Sequence, residues 1–125
     1  MKFIYILIIT LLTSLSTYGQ ISDVRMLNNY VQVFTENNKV LSTKYLSNNE
    51  EFIDNSSKFY IIRRGNYLVL MDHKSKFISQ LYIDKKSKVK GVYGKFFTVQ
   101  VGNYVRTYNM ECKQTNQAYS PNGNN

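Results

Sequence analysis

The sequence predicts an all-β protein, an antiparallel meander of about eleven short strands in three tandem repeats. Three observations predict this fold. Identical side chains recur at one fixed spacing, turn residues separate short runs rich in Val, Ile, Tyr and Phe, and no helical pattern follows the first 20 residues. The aromatic residues, 14% of the chain, are all Tyr or Phe, which suit the half-buried surface of a sheet.

The strongest of these observations is the fixed spacing. The dipeptide Asn-Tyr begins at Asn29, Asn66 and Asn103, which follow one another at intervals of 37 residues. The same interval aligns further side chains without insertion or deletion: Tyr45, Tyr82 and Tyr119; Lys39, Lys76 and Lys113; Ser42 and Ser79. Such self-similarity is typical of repeat architectures. The predicted units are residues 21–57, 58–94 and 95–120.

Each unit is predicted to contain four strands, and the third unit lacks the last of them. The strands predicted for the second unit are residues 60–64, 67–71, 77–83 and 89–93. Gly65-Asn66 between the first two is a two-residue hairpin signal, because Gly adopts a positive φ at low cost. Asn28-Asn29 takes this place in the first unit, and Asn tolerates the left-handed region better than most residues. Residues 121–125 are expected to form a disordered tail.

Side-chain alternation along the second strand of each unit assigns the faces of the sheet. The predicted core face carries Val31, Val33, Leu68, Leu70, Val105 and Thr107. The opposite face mixes aromatic, polar and basic residues: Tyr30, Gln32, Phe34, Tyr67, Val69, Met71, Tyr104, Arg106 and Tyr108. This second face is predicted to be half-exposed or to form an interface.

Four-stranded meanders repeated at this length resemble the blades of β-propeller proteins or the three-fold units of β-trefoils. The resemblance covers essentially the whole chain after residue 20, and the Gly-Asn-Tyr hairpins are also similar to those of small exported bacterial repeat proteins. The blade Trp-Asp signature and the trefoil Gln-x-Trp motif are both absent, since the sequence has no Trp. The resemblance therefore implies an architecture without an activity. Blade-like units would need other chains for closure, whereas a trefoil-like barrel uses three units, and a twisted meander or flattened barrel is a third option.

The first 19 residues have the order of a secretory signal peptide. Lys2 precedes an apolar run from Phe3 to Leu12, and small polar residues ending in Gly19 follow. The apolar run is shorter than the roughly 20 residues that a membrane-spanning helix needs. We therefore expect no transmembrane span, cleavage near Gly19, and a mature chain that begins at Gln20 in the periplasm or the extracellular medium.

The chain is basic, with a formal net charge of +8 from 16 Lys and Arg against 8 Asp and Glu. Positive charge at this level favours acidic partners, among them nucleic acid, anionic lipid, acidic glycans and acidic proteins. Export argues against nucleic acid. Because lysines also keep open strand edges soluble, the charge alone selects no partner. We expect an unknown protein or glycan, with homo-oligomers through open strand edges as an alternative.

The residues available for nucleophilic catalysis are few. His73 is the only histidine and Cys112 the only cysteine, so they would have to form a Cys–His pair. The 37-residue spacing places Cys112 level with Ser75 and His73 level with Met110, in equivalent loops of different units. We expect Cys112 to be a small apolar residue or an inert thiol, with an intermolecular disulfide as an alternative.

An acidic cluster, Glu50, Glu51 and Asp54, lies in one predicted turn. A glycosidase would need two carboxylates that face each other across a cleft, whereas a hydrated loop needs no such arrangement. The spacing matches no EF-hand, and no zinc-ligand spacing, phosphate-binding glycine loop or dinucleotide fingerprint is present. The sequence therefore predicts no catalytic residue, no metal site, no cofactor and no enzymatic activity.

Basic and aromatic side chains interleave along the predicted strands, and such surfaces can stack sugars while holding acidic groups. The predicted interaction surface consists of Tyr30, Tyr67, Tyr104, Arg106 and Tyr108. The first functional hypothesis is an exported, non-enzymatic binding or interaction module. The alternatives are a self-assembling structural β-repeat protein of the cell envelope and a small exported hydrolase that uses Cys112 or the Glu50–Asp54 turn.

Overall fold

The computed structural model describes residues 20–121, which form eleven antiparallel strands and confirm the predicted all-β meander. The strands are β1 (Asp23–Leu27), β2 (Tyr30–Phe34), β3 (Val40–Tyr45), β4 (Glu50–Asn55), β5 (Tyr60–Arg64), β6 (Tyr67–Met71), β7 (Phe77–Tyr82), β8 (Lys88–Tyr93), β9 (Phe96–Val101), β10 (Tyr104–Asn109) and β11 (Gln114–Tyr119). The predicted signal peptide and residues 122–125 of the predicted tail lie outside the described residues. Between residues 20 and 121 no helix is long and apolar enough to cross a membrane.

The strands form three separate sheets, each a simple meander. The first sheet has the order β1-β2-β3, the middle sheet β4-β5-β6-β7, and the last sheet β11-β10-β9-β8. No strand pairs across two sheets, so the described strands do not close into a barrel. The strand β4, assigned from the sequence to the end of the first unit, pairs with β5. The middle and last sheets therefore begin one strand earlier than the second and third predicted units, because a period fixes a spacing and leaves the starting point open.

In each sheet one hairpin, β1–β2, β5–β6 or β9–β10, turns through a left-handed residue. Asn28, Gly65 and Gly102 have φ values of 56°, 59° and 59° and lie 37 residues apart. A Cβ built on Gly65 or Gly102 would have no heavy atom within 4 Å. The preference for Gly or Asn at this place thus comes from the backbone conformation and not from lack of space.

A short acceptor side chain closes the last connection of each sheet, between β2 and β3, β6 and β7, or β10 and β11. Asp72 Oδ1 accepts hydrogen bonds from the backbone N–H groups of Lys74 and Lys76, at 2.8 and 2.9 Å. Thr35 and Asn109 accept the same two bonds in the other sheets. The residue before the closing lysine has a positive φ in every case: Asn38, Ser75 and Cys112. The lysines aligned by the 37-residue spacing therefore mark the ends of these loops.

The three sheets stack face to face and enclose two apolar layers. The layer between the first and middle sheets is formed by Ile21, Val31, Val33, Leu46, Tyr60, Ile62, Val69 and Met71. The layer between the middle and last sheets is formed by Phe59, Ile61, Leu68, Leu70, Ile83, Phe97, Val99 and Tyr108. The middle sheet consequently buries both of its faces.

The outer faces of the stack are polar. On the first sheet the Arg25 guanidinium lies 4.3 Å from the centre of the Phe34 ring and donates to Asp23 at 2.8 Å. The outer face of the last sheet carries Lys88, Thr98, Thr107 and Asn116, with Val105 among them. Polar outer faces are what a finite stack needs for solubility.

This arrangement decides which predicted core residues are buried. Val31, Val33, Leu68 and Leu70 are fully buried, as predicted. The corresponding residues of the last sheet, Val105 and Thr107, are only half-buried. The reason is that no further sheet covers this face within the described part of the chain.

Candidate functional site

Six tyrosines lie in three cross-strand pairs, one pair in each sheet; we call them the tyrosine row. The pairs are Tyr30–Tyr45, Tyr67–Tyr82 and Tyr104–Tyr119, with ring centroids 5.4, 5.6 and 5.6 Å apart and interplanar angles of 65°, 75° and 70°. Edge-to-face geometry is favoured because the positive ring edge meets the negative ring face. All six side chains remain between 42% and 66% exposed. The row is thus ordered by its own contacts and still accessible.

The strand register places all three pairs at the same end of the stack. In each pair one tyrosine follows the left-handed turn and the other ends the last strand of the sheet, β3, β7 or β11. The residue after the second tyrosine donates its N–H to the turn, in the bonds Leu46 to Asn29, Ile83 to Asn66 and Ser120 to Asn103, at 2.7, 2.8 and 2.6 Å. The chain passes from one sheet to the next at this end, so the pairs lie along one end of the molecule.

The residues predicted from the sequence divide between this row and the core. Tyr30, Tyr67 and Tyr104 belong to the row. Arg106 is half-buried on the same face as Tyr104, and its Nε donates to Gln117 Oε1 at 2.9 Å.

Tyr108 has to be removed from the predicted surface. It is only 7% exposed and its ring stacks on Phe97 with a centroid distance of 5.4 Å. Alternation correctly places Tyr108 on the same face as Tyr104. Tyr104 lies beside the turn and stays exposed, whereas further along the strand, at Tyr108, the middle sheet covers this face. Phe34, Val69 and Met71, predicted on the equivalent faces, are buried as well.

The sequence prediction omitted the second tyrosine of each pair. The 37-residue spacing aligns Tyr45, Tyr82 and Tyr119, but the predicted surface does not include them. Pairing the strands on either side of the loops that end at Lys39, Lys76 and Lys113 places them opposite the first tyrosines.

Basic side chains follow Tyr82 of the row, in the connection between β7 and β8 and at the start of β8. Lys85, Lys86, Lys88 and Lys90 are exposed, and we call them the lysine turn. The ion pairs found between residues 20 and 121, Arg25–Asp23, Arg64–Glu50 and Lys113–Glu111, involve none of the four. The carboxylate of Asp84 accepts bonds from the Ser87 hydroxyl and from the backbone N–H groups of Ser87 and Lys86, which lower the pKa of Asp84.

The acidic cluster predicted in a turn lies instead on the strand β4, where Glu50 forms an ion pair. Its side chain is 8% exposed, and Oε2 accepts bonds from Arg64 Nε and Nη2 at 3.0 and 2.7 Å. Burial opposes ionisation of Glu50, but the Ser47 N–H, the Arg64 guanidinium and the Ser47 hydroxyl outweigh it and lower the pKa to about 2. Since Glu51 and Asp54 are exposed, the three carboxylates do not converge.

The candidate nucleophile and base are separated in the stack. His73 lies in the loop between β6 and β7, where its carbonyl oxygen accepts a bond from the Ser42 hydroxyl at 2.8 Å. Cys112 lies in the loop between β10 and β11, with Sγ 3.2 Å from the Ser79 hydroxyl. Burial raises the pKa of the Cys112 thiol. At neutral pH the thiol is therefore protonated and positioned as a hydrogen-bond donor.

Two grooves lie in the described surface, and one of them adjoins the tyrosine row. A groove of about 440 Å³ is bordered by residues 20–22 and the loop after β2, and another of about 360 Å³ by Met26, Asn29, Leu46 and side chains between Ser47 and Phe52. Neither groove is lined by a member of the row. No group of three or more His, Cys, Asp or Glu side chains between residues 20 and 121 is arranged to hold a metal ion.

The sequence matches no protein-family model, and no curated protein shows significant similarity to it. The resemblance to propeller blades or trefoil units therefore stays a prediction.

Proposed function

We propose that this protein is an exported, non-enzymatic binding module that contacts its partner through the tyrosine row. The observation that carries the proposal is the same exposed tyrosine pair at the same end of all three sheets. Tyrosine is enriched at binding interfaces because it offers a large apolar area, a hydroxyl group and few rotatable bonds. The partner would be a protein, a glycan or another component of the envelope.

The pairs are suited to binding because little order has to be created when a partner arrives. Each ring packs on its neighbour, and the backbone on both sides is fixed by the turn and by the following hydrogen bond. Binding then costs less side-chain entropy than it would with freely rotating tyrosines.

The three sheets would be copies of one repeated unit, so the partner would meet the same contact three times. Linked equivalent contacts raise the overall affinity even when each contact is weak. Equal φ values and equal loop hydrogen bonds at positions 37 residues apart support this proposal.

Export is proposed from the signal-like order of residues 1–19. The mature chain would then begin at Gln20, three residues before β1. Intact mass spectrometry of the protein recovered outside the cytoplasm tests this proposal, and a mass that retains Met1 would contradict it.

The binding test uses the chain from Gln20 in glycan arrays and in pull-downs from envelope extracts. Joint substitution Tyr67→Ala and Tyr104→Ala should weaken binding at least about tenfold, because each removes a contact worth about 1 kcal/mol or more. The matched control is Tyr93→Ala with Phe96→Ala, two exposed aromatic residues at the opposite end. Unchanged binding in the Tyr67/Tyr104 variant would exclude the row as the contact surface.

Self-association is a second candidate, favoured by the open edge of the first sheet. The outer edge of β1 has no partner strand among the described residues, and Met26 and Leu27 are exposed there. Open strand edges promote pairing between chains. Light scattering across micromolar concentrations would show oligomers, and a clean monomer would count against this function.

A further inference from the structure

The apolar surface of the molecule is concentrated at the end that carries the tyrosine row. Eight of the twelve exposed large hydrophobic side chains of the described residues lie there, namely the six tyrosines together with Met26 and Leu27. A concentration of this kind marks an interaction surface, whereas scattered exposed residues do not.

The same end carries the lysine turn. Lys85 is three residues from Tyr82 and follows directly from the last strand of the middle sheet. The opposite end also carries lysines, at Lys39, Lys58, Lys74, Lys76, Lys95 and Lys113, with the acids Glu36, Asp72 and Glu111 in its loops, whereas at the tyrosine end Asp84 directly precedes Lys85. Lys113 pairs with Glu111 at 3.5 Å. Lys39, Lys74 and Lys76 are in none of the ion pairs found between residues 20 and 121, so the tyrosine end differs by having four such lysines beside eight of the twelve exposed apolar side chains.

The shape of this end favours a surface over a small ligand. Sites for small ligands are concave, and the groove at this end is lined by Asn29 and Leu46 next to the Tyr30–Tyr45 pair but by no residue next to the other two pairs. Three tyrosine pairs side by side along one end match an extended partner instead. Tyrosine rings with an apolar body and a hydroxyl group occupy the boundary between lipid and water, and lysines near it attract anionic headgroups.

We propose that the tyrosine row and the lysine turn together dock the protein on an anionic lipid surface. This inference rests on the proposed function and specifies the partner. The tyrosines insert at headgroup level, and the lysines hold the acidic phosphates beside them. The binding is peripheral, and it weakens with salt because part of it is electrostatic.

Sedimentation with vesicles tests this assignment on the chain that begins at Gln20. We expect binding to phosphatidylcholine vesicles that contain about 30% phosphatidylglycerol, little binding to pure phosphatidylcholine, and release as salt rises from about 50 to about 500 mM. Changing Lys85, Lys86, Lys88 and Lys90 to Gln should weaken binding about 100-fold, since each lysine near the surface contributes about fivefold at most.

The matched control removes the same charge from the opposite end, by changing Lys39, Lys74, Lys76 and Lys113 to Gln. It should weaken vesicle binding less than about threefold. Tyr67→Ala with Tyr104→Ala should lower binding at both salt concentrations, because its contribution is apolar. Far-ultraviolet spectra and thermal unfolding confirm that each variant is folded before it is used.

Several results would overturn the inference: no binding to anionic vesicles at low salt, equal binding to neutral vesicles, or an equal loss in the opposite-end control. Lysine-dependent binding to heparin without vesicle binding would identify an acidic glycan as the partner instead. If vesicles do not bind while capture from envelope extracts still requires Tyr67 and Tyr104, the proposed function stands and the lipid partner fails.

Discussion

The junction between the first and middle sheets and the junction between the middle and last sheets share one plan but differ in chemistry. At the first junction the buried Tyr60 hydroxyl donates to Ser75 Oγ at 2.6 Å, and Ser75 is 2.9 Å from the Ser42 hydroxyl. Ser42 in turn donates to the carbonyl oxygen of His73 at 2.8 Å. A chain of hydroxyl groups therefore joins the two sheets.

At the second junction, Phe97 and Cys112 occupy the places of Tyr60 and Ser75. The bond from Ser79 to the carbonyl oxygen of Met110 is retained, at 2.6 Å. Burial raises the pKa of Tyr60 and requires an acceptor for its hydroxyl, whereas Phe97 has no hydroxyl to satisfy. The Cys112 thiol, a weak hydrogen-bonding group, is therefore sufficient at this position, because Phe97 needs no acceptor. The two positions therefore differ together between the junctions, and at the first junction one hydrogen bond joins them.

The turns that lead into the two junctions differ by an exchange of residue types. In the first, Ser47 precedes Glu50, whose carboxylate accepts the Ser47 hydroxyl at 3.0 Å. In the second, Asp84 precedes Ser87, and the hydroxyl-to-carboxylate bond runs the other way along the chain at 2.9 Å. Either order closes the turn, but only the first order brings a carboxylate to Arg64.

The largest expected effect comes from removing the aromatic centre of the second junction. Phe97→Ala should lower the free energy of unfolding by about 3–5 kcal/mol, because it leaves a cavity beside Phe59 and Tyr108. Urea denaturation measures the loss. Phe96→Ala at the exposed neighbouring position is the control, and a loss of under about 1.5 kcal/mol for Phe97→Ala would show that the second junction does not depend on this ring.

A smaller expected effect on stability distinguishes the first junction, which contains the Tyr60–Ser75 hydrogen bond, from the second, which contains Cys112. Ser75→Ala should cost about 1–3 kcal/mol of unfolding free energy, because it leaves the buried Tyr60 hydroxyl without its acceptor. Cys112→Ala should cost less than about 1 kcal/mol, since Phe97 loses no hydrogen bond.

Placing the residue types of the second junction at the equivalent positions of the first junction tests the same hydrogen bond. Tyr60→Phe combined with Ser75→Cys should recover most of the stability that Ser75→Ala loses, as shown by a double-mutant cycle in urea. Equal costs at the two junctions, or no coupling between Tyr60 and Ser75, would contradict the shared hydrogen bond.

The smallest expected effect is the pH dependence of stability that comes from the Glu50–Arg64 ion pair. The pKa of Glu50 is lowered to about 2 from its ordinary value of 4.5, so the ion pair stabilises the fold above pH 4.5 and this contribution is lost as pH falls toward 2. Solvent screening at the half-exposed Arg64 limits the contribution to about 1–2 kcal/mol.

Glu50→Gln should therefore be less stable than the unchanged protein at pH 6, and the difference should shrink as the pH approaches 2. Urea midpoints across this range provide the measurement. The control Glu51→Gln keeps the Glu50–Arg64 pair and should keep the acid-dependent loss. A constant difference between Glu50→Gln and the unchanged protein at every pH would disprove the ion-pair account.

Local patterns were sufficient to predict the strands but not their surroundings. Gly65 and Gly102 identified the hairpins, and their even spacing identified equivalent strands. The burial of Tyr108 depends on the middle sheet lying over it, which alternation within one strand cannot reveal. The assignment of Glu50 to a turn failed because its charge suggested solvent, while its partner, Arg64, lies 14 residues further along the chain.

The polar outer faces also determine where such a chain could lengthen. A further copy of the middle sheet, inserted beside the original, would meet apolar neighbours on both sides. The same copy appended after β11 would seal Thr98, Thr107 and Asn116 against hydrocarbon and leave their polar groups dehydrated. Gene duplication could therefore lengthen the stack by adding middle sheets, while the first and last sheets keep their polar outer faces.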